Sequence, residues 1–224
     1  MDSNRKKRRR RIWPVVLLLI AAVAAVRLFS DYFAETFTIH SVTVEGNSVV
    51  EEEEILKLSG IRPGTNLFSV PASRVESRVD GHWLIREALV IRQIPDQVII
   101  RVTERRPLLI LSSGDRFAVV DQDGICIELV RKLSDRALPY YSGRNLDTPL
   151  TLGQKIVEEE VLRVIRFTGE IPEHLRYLAR EIEPGIRTWT IYSVNGIKVK
   201  LGLGENTEDK LYLLESIFNE TAIL

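Results

Sequence analysis

The N-terminal 29 residues constrain this chain most strongly. Seven consecutive basic residues, Arg5 to Arg11, precede an apolar run that carries no charge from Ile12 to Val26. Extended to Phe29, the segment 12–29 has 18 residues. A helix of that length measures about 27 Å, close to the roughly 30 Å hydrocarbon core of a bilayer. The sequence therefore predicts a single N-terminal transmembrane helix.

Lys and Arg beside a membrane span are retained in the cytoplasm, so the N-terminus is predicted inside and the bulk of the chain outside. A cleaved secretory signal is the alternative, because a basic start, an apolar core and Ala22-Val23-Ala24 fit that pattern too. Arg27 and the apolar residues after that site argue against cleavage. The predicted membrane anchor comprises Ile12, Trp13, Leu17, Leu18, Leu19, Ile20 and Val26.

The charge distribution separates the basic tail from the rest of the chain. Residues 1–11 carry a net charge of +6 and Arg27 adds one, so residues 28–224 carry −7 within a formal total of zero. A nucleic-acid-binding protein needs a basic face, so nucleic acid is not a predicted partner. The tail can instead attract anionic lipid, which makes the bilayer a predicted partner.

Cys126 is the only cysteine, so no intramolecular disulfide can form. It lies among strand-forming residues, and we predict a small buried strand residue rather than a reactive thiol.

Residues 38–106 predict a β-α-α-β-β module. A strand is predicted over residues 38–44, followed by an acidic helix that the capping box of Ser48 and Glu51 would begin. A second helix should start near Pro71, which suits a first helical turn. Two further strands, 83–94 and 98–103, form a hairpin around Pro95-Asp96.

Residues 107–224 predict a mixed, mainly antiparallel β-domain with flanking helices, which makes the chain α+β. One hairpin turns at Gly124, and Asn195-Gly196 is a strong signal for another. Helices are predicted over residues 155–168 and 207–219. The inward face of the first carries Val157, Val161, Val164 and Ile165, and that of the second carries Leu211, Leu214, Ile217 and Phe218.

No motif points to catalysis or to a cofactor. Asp121-Gln122-Asp123-Gly124 is similar to the start of a calcium loop, but Lys132 stands where an EF-hand requires glutamate, so a plain turn is predicted. The three histidines are far apart and lack metal-ligand spacing. The sequence therefore predicts no metal, no cofactor and no enzymatic activity.

Taken in order, the motifs of residues 38–106 resemble the POTRA module that follows the membrane anchor of the FtsQ/DivIB bacterial cell-division proteins. The resemblance implies a cytoplasmic tail (1–11), a transmembrane helix (12–29), a neck (30–37), the POTRA module (38–106) and a β-domain (107–224). That β-domain is expected to lack the family's last strand, because the sequence stops at Leu224. Leu67 and Phe68 are expected to be buried anchors. The implied structural positions are Gly46, Asn47, Gly60, Gly64, Asn66, Leu67, Phe68, Pro95, Asp96, Glu104 and Pro107.

The same resemblance implies a non-enzymatic scaffold of the divisome in the bacterial cytoplasmic (inner) membrane. Such a protein recruits FtsB-like and FtsL-like bitopic coiled-coil proteins, and other division proteins, through exposed strand edges. The implied partner-binding residues are Arg187, Trp189 and Ile191 in the β-domain, and Trp83 and Arg92 near the second POTRA strand. Two other classes stay open: a POTRA-type chaperone or export subunit, and an envelope module that binds peptidoglycan.

Overall fold

The computed structural model describes residues 3–133, 137–146, 148–185 and 188–202, together with residues 209, 212, 213, 215 and 216. The chain divides into two compact units. The first unit comprises Met1–Asp80 and Glu87–Thr103, and the second comprises Gly81–Arg86 and Glu104–Leu224. Residues 81–86 thus belong to the second unit although they precede most of the first unit's sheet.

Helix α1 covers Ser3–Thr36 and contains Pro14. The apolar side chains of its middle part are exposed along the helix, whereas the side chain of Ile12 lies outside the described residues. The exposed anchor residues are Trp13, Leu17, Leu18, Leu19, Ile20 and Val26. None of the helices in the described part of the chain combines the length and the apolar character needed to cross a bilayer.

The rest of the first unit has the predicted β-α-α-β-β order. Strands β1 (Ser41–Glu45), β2 (Ile85–Gln93) and β3 (Gln97–Glu104) form a sheet in the order β1-β3-β2, in which β1 and β3 are parallel. Three residues join β2 to β3, a connection short enough only for an antiparallel hairpin. Helices α2 (Glu52–Ser59) and α3 (Ala72–Asp80) lie between β1 and β2 in sequence. On β3, Val98, Ile100 and Val102 alternate with more exposed residues and enter the core.

The predicted capping box of Ser48 and Glu51 is wrong. Helix α2 begins at Glu52, and its N-cap, Glu51, makes no side-chain capping hydrogen bond. The side-chain amide of Asn47 donates instead to the Val50 carbonyl at 3.0 Å. This local turn over residues 47–50 competes with helical hydrogen bonding and delays the start of the helix.

Gly46 and Gly60, two of the expected structural positions, both have positive φ. Gly46 has φ +88°, and a Cβ built on it would clash with the backbone oxygen of Val102, so β3 approaches too closely for any side chain there. Gly60 ends α2 in the left-handed conformation, where its amide donates to the Leu56 carbonyl at 3.3 Å. This C-cap geometry favours glycine because other residues pay a steric cost at positive φ.

The expectation of two buried anchors holds for Leu67 but is wrong for Phe68. Both belong to a short 3-10 helix, Leu67–Ser69, whose N-cap Asn66 accepts the Phe68 amide on its side chain. Leu67 is fully buried, whereas 50% of Phe68 is exposed. The Phe68 ring packs against Phe37 at a centroid distance of 5.1 Å and therefore faces the end of α1.

The second unit is built on a seven-stranded sheet in the order β10-β9-β8-β7-β4-β5-β6. Among the described strands, β7 runs parallel to both of its neighbours, β4 and β8, and the other four pairs are antiparallel, so the sheet is mixed and mainly antiparallel as predicted. The strands are β4 (Leu109–Ser113), β5 (Arg116–Val120), β6 (Cys126–Val130), β7 (Tyr140–Tyr141), β8 (Ala179–Pro184), β9 (Thr188–Ser193) and β10 (Lys198–Gly202).

Helix α4 (Glu159–Glu170) supplies Val161, Val164 and Ile165 to the core of the second unit, and the short α5 (Glu173–Arg176) follows it. The predicted inward position of Val157 is wrong, because α4 starts two residues after it and its side chain is exposed. Cys126 is fully buried on β6, which confirms its predicted role. The apolar positions of the predicted C-terminal helix, Leu211, Leu214, Ile217 and Phe218, lie outside the described residues.

Asp121 forms the centre of a charged cluster within the second unit. Its side chain is only 1% exposed, and Oδ1 accepts the amides of Asp123 (3.0 Å) and Ile125 (2.8 Å). Oδ2 accepts a 2.6 Å hydrogen bond from Nη1 of Arg105, which also reaches Asp123 at 3.1 Å. Arg86 joins the cluster through its Nε, 2.9 Å from Asp123. The predicted turn at Gly124 is confirmed. Its two aspartates also form ion pairs with Arg86 and Arg105.

Candidate strand-edge interaction surface

Strand β10 is the outermost strand at one end of the seven-stranded sheet. Its register with β9 pairs Lys198 with Tyr192, Val199 with Ile191, and Lys200 with Thr190. The Ser193 amide donates to the Ile197 carbonyl at 2.8 Å, which makes the first pair beyond the turn a hydrogen-bonded one.

Hydrogen-bonded and non-bonded pairs alternate along an antiparallel ladder. The Val199 backbone therefore bonds to β9, while the backbone N–H and C=O groups of Lys198 and Lys200 point away from the sheet. Within the described residues, no strand pairs with this outer edge.

The side chains of β10 alternate in the same way. Val199 and Leu201 enter the core of the second unit, and Lys198 and Lys200 are exposed. The Nζ of Lys198 lies 5.0 Å from the centroid of the Tyr192 ring. A side-chain hydrogen bond with Tyr192 raises the pKa of Lys198, so this ammonium stays charged at neutral pH. The edge thus combines open backbone groups with two positive charges.

The other end of the sheet is less accessible, because a second segment covers the start of β6. The Cys126 amide donates to the Gln154 carbonyl at 2.9 Å, and the Gly153 amide donates to the Cys126 carbonyl at 2.8 Å. A partner strand would have to displace this segment before it could pair with the full length of β6. The β10 edge is therefore the better docking site of the two.

Two of the residues expected to bind partners in the β-domain lie on β9, one strand inside the edge. Ile191 is 0% exposed and belongs to the core of the second unit. Trp189 pairs with Leu201 of β10, and its ring meets that of Phe167 edge-on at 4.8 Å. Both residues lie on the strand next to β10 and pack in or against the core of the second unit. Arg187 lies outside the described residues, so its pairing with an acidic partner stays a prediction.

The other two expected residues lie away from β10 in the chain and in different units. Trp83 belongs to the second unit, is partly exposed and stacks on His82 at a centroid distance of 4.3 Å. Arg92 belongs to the first unit, and its guanidinium donates to the carbonyls of Leu67 (3.2 Å) and Val70 (2.7 Å). Two guanidinium donors of Arg92 are therefore used in hydrogen bonds to residues at the two ends of the 3-10 helix.

Sequence reasoning missed Lys198 and Lys200 as functional candidates. The signal was present, because lysine alternates with apolar residues from Lys198 to Leu201 after the Asn195-Gly196 turn. No group of His, Cys, Asp or Glu that could hold a metal ion occurs among the described residues.

A first unit of β-α-α-β-β order, followed by a mixed sheet in which β10 is the outermost described strand, defines a POTRA-type module joined to a β-domain. The family model described as "POTRA domain, FtsQ-type" matches residues 37–105, and "Cell division protein FtsQ/DivIB, C-terminal" matches residues 110–223. The chain belongs to the FtsQ/DivIB family of bacterial cell-division proteins.

Similar proteins carry the same family names. Cell division protein FtsQ of Syntrophotalea carbinolica is 30% identical over 207 residues, which cover 89% of this chain and 70% of that protein. FtsQ of Bradyrhizobium diazoefficiens is 26% identical over 165 residues, 74% of this chain and 45% of that protein. The chain thus spans 70% of the first relative but less than half of the second.

A solved structure, the major extracytoplasmic domain of the trans isomer of DivIB from Geobacillus stearothermophilus, is 14% identical with a TM-score of 0.36. That likeness covers 49% of this chain and 87% of the DivIB domain. At this level of similarity it adds nothing to what the family models establish.

Proposed function

We propose that the chain is a non-enzymatic scaffold of the bacterial division machinery, anchored in the cytoplasmic membrane by α1. Its N-terminus lies in the cytoplasm, and the part of the chain that follows α1 lies outside. The seven basic residues from Arg5 to Arg11 support this orientation. The exposed apolar side chains of α1 support the anchor, because a lipid environment would remove them from water.

The scaffold recruits its partners at the outer edge of β10. The observation that carries this proposal is the outermost position of β10, with the backbone groups of Lys198 and Lys200 directed away from β9. A partner strand pairs with these groups and extends the sheet. The proposed partners are FtsB-like and FtsL-like bitopic proteins.

The charges of the edge set a preference among partner strands. Lys198 and Lys200 are both exposed, so a partner strand with acidic side chains gains attraction that a basic strand does not. This preference agrees with the acidic partner residue that the family resemblance implies for Arg187. Rim charges of this kind change the association rate more than the affinity.

A proline at an outward-facing backbone position tests the proposal. Lys200→Pro removes one edge donor and blocks close approach of a partner strand, but it breaks no hydrogen bond to β9, because the Lys200 amide points outward. We expect it to weaken binding of an FtsB-like protein from the same organism by about tenfold. The measurement is a titration with the full chain reconstituted in lipid nanodiscs.

Lys200→Ala is the matched control, since it removes the same charge and keeps the amide. We expect this variant to bind severalfold more tightly than Lys200→Pro, and both variants to melt close to the unchanged protein. Equal affinities for the alanine and proline variants would show that the β10 backbone is not the docking edge.

A further inference from the structure

One end of the first unit gathers the C-terminus of α1 and the turn between β2 and β3. Strand β1 starts just after α1, and its first residue, Ser41, is in register with Gln97, the first residue of β3. The turn at residues 94–96 therefore lies at the same end of the sheet as α1. The His40 amide confirms this contact, because it donates to the Asp96 carbonyl at 2.8 Å. We call this end of the first unit the α1 pole.

The α1 pole exposes large apolar side chains. Phe68 is 50% exposed, Ile94 in the β2–β3 turn is 65% exposed, and Tyr32 near the end of α1 is 70% exposed. Phe68 forms an aromatic cluster with Phe33 and Phe37, at centroid distances of 6.0 and 5.1 Å. Tyr32 and Phe33 lie on the same helix as the exposed apolar residues of α1, and Phe33 links that helix to Phe68. Their exposure is unfavourable in water.

The position of the α1 pole along the helix matches the lipid headgroup layer. Phe33 comes four residues after the end of the predicted span at residue 29, which is about 6 Å further along the axis. The polar layer on each side of the hydrocarbon core is about 5 to 8 Å thick. Aromatic side chains are enriched at this depth, because their rings prefer the boundary between apolar and polar surroundings.

A basic residue lies next to the same end of the unit. The loop containing Arg62 packs against the residues that follow α1, since the Gly64 amide donates to the Ile39 carbonyl at 2.9 Å. The Thr65 amide in turn donates to the Arg62 carbonyl at 3.2 Å. The Arg62 side chain is exposed and can reach lipid phosphate groups.

We propose that the α1 pole is a lipid-contact surface, which seats the first unit in the outer headgroup layer of the cytoplasmic membrane. Phe68 and Ile94 enter this layer beside the aromatic end of α1, and Arg62 meets the phosphates. The inference rests on the proposed membrane anchor. Its consequence is that the part of the first unit after α1 stands at a fixed height and tilt against the bilayer, and does not swing freely on α1.

Depth-dependent fluorescence quenching tests the proposal with the full chain in vesicles of phosphatidylethanolamine and phosphatidylglycerol. Single cysteines at Phe68→Cys and Ile94→Cys carry an environment-sensitive dye, and a spin label near the lipid headgroups is the quencher. The native Cys126 is fully buried and does not compete for the dye. We expect quenching and a blue-shifted emission at both sites.

Two matched sites make the result decisive. Val49→Cys is the negative control, because Val49 is 71% exposed and apolar but follows the far end of β1. We expect quenching at Phe68→Cys and Ile94→Cys to exceed that at Val49→Cys severalfold. Leu18→Cys, in the middle of α1, reports on the anchor itself through a quencher placed deep in the bilayer.

The outcomes separate the two proposals. Quenching at Leu18→Cys, with signals at Phe68→Cys and Ile94→Cys no larger than at Val49→Cys, would overturn the lipid-contact surface and leave the anchor in place. No quenching at Leu18→Cys would overturn both. A blue shift without lipid quenching at the α1 pole would place that surface against protein, such as a second copy of this chain, and would also overturn the proposal.

Discussion

Replacement of Asp121 tests how the second unit is held together. The buried carboxylate accepts two backbone amides on Oδ1 and the Arg105 guanidinium on Oδ2. Removal of one partner of a buried charge pair costs about 3 to 5 kcal/mol, because the other charge stays buried and unpaired. Since two turn amides also lose their acceptor in Asp121→Ala, we expect the upper part of that range, about 4 to 5 kcal/mol.

Two further variants divide this cost into its parts. Asp121→Asn keeps a carbonyl oxygen for the two amides but loses the charge that faces Arg105, so we expect a loss of about 2 to 3 kcal/mol. Asp123→Ala removes a partner that is 36% exposed, and we expect a loss below about 1 kcal/mol. The expected order of destabilisation is therefore Asp121→Ala, then Asp121→Asn, then Asp123→Ala.

Urea unfolding of the full chain in detergent micelles, followed by tryptophan fluorescence, measures these differences. Trp189 packs on Phe167 within the second unit, so its emission reports on that unit. A Trp13→Phe background removes the signal of α1. Destabilisation by Asp121→Ala of less than about 1 kcal/mol, or equal effects of Asp121→Ala and Asp123→Ala, would refute the assignment of Asp121 as the central acceptor.

Gly46→Ala should destabilise the first unit by about 2 to 4 kcal/mol, because its Cβ would meet the Val102 carbonyl. Gly64→Ala, at φ +86° with no atom within 4 Å of the added Cβ, should destabilise the unit by only about 1 kcal/mol. Hydrogen exchange of the β3 amides measures the destabilisation by each variant. Equal destabilisation by the two variants would contradict the clash at Gly46. Burial raises the pKa of the Cys126 thiol from 9.0 to about 11, so the folded state holds this proton more tightly than the unfolded state. The corresponding stability is complete below about pH 9 and is lost as the pH rises to about 11, and Cys126→Ala should flatten this part of the pH profile of urea unfolding. Burial likewise raises the pKa of Tyr141 to about 12, and its hydroxyl has no hydrogen-bond partner among the described residues. Tyr141→Phe should therefore be neutral or stabilising, and it should remove the loss of stability above about pH 10. A clear loss of melting temperature at pH 7 would contradict this.

Local signals in the sequence predicted those elements whose hydrogen bonds are local. Pro71 marked the start of α3, and Asn195-Gly196 marked the hairpin of β9 and β10. The start of α2 was missed because a side-chain turn at Asn47 outweighs the favourable Ser48 to Glu51 pattern.

The strands in the middle of the second sheet left weaker signals. Strand β4 is buried on both faces, since Leu109 and Leu111 contribute to one core cluster and Ile110 to another, so it lacks an alternating pattern. Strand β7 has only two residues, and long-range pairing with β4 and β8 alone defines it.

The candidate edge was only partly predictable for the same reason. The alternation of lysine with apolar residues from Lys198 to Leu201 identifies a strand with one exposed face. The sequence does not encode the order of the strands locally. It is this order that makes β10 the outermost described strand and places Ile191 on the next strand, β9. Likewise, the apolar character of Phe68 did not reveal whether it faces the core or the end of α1.

Residues 81–86 belong to the second unit, and this limits where the chain can be cut into fragments. A fragment that begins at Pro107, the first residue of the predicted β-domain, would lack both arginines that neutralise Asp121 and Asp123. It would also lose Leu84, which packs beside Ile110, Val119 and Ile127. A fragment cut at the boundary predicted from the sequence would therefore have carboxylates without their arginine partners and an apolar surface exposed to water. Binding lost in such a truncation would reflect damage to the fragment rather than a missing contact.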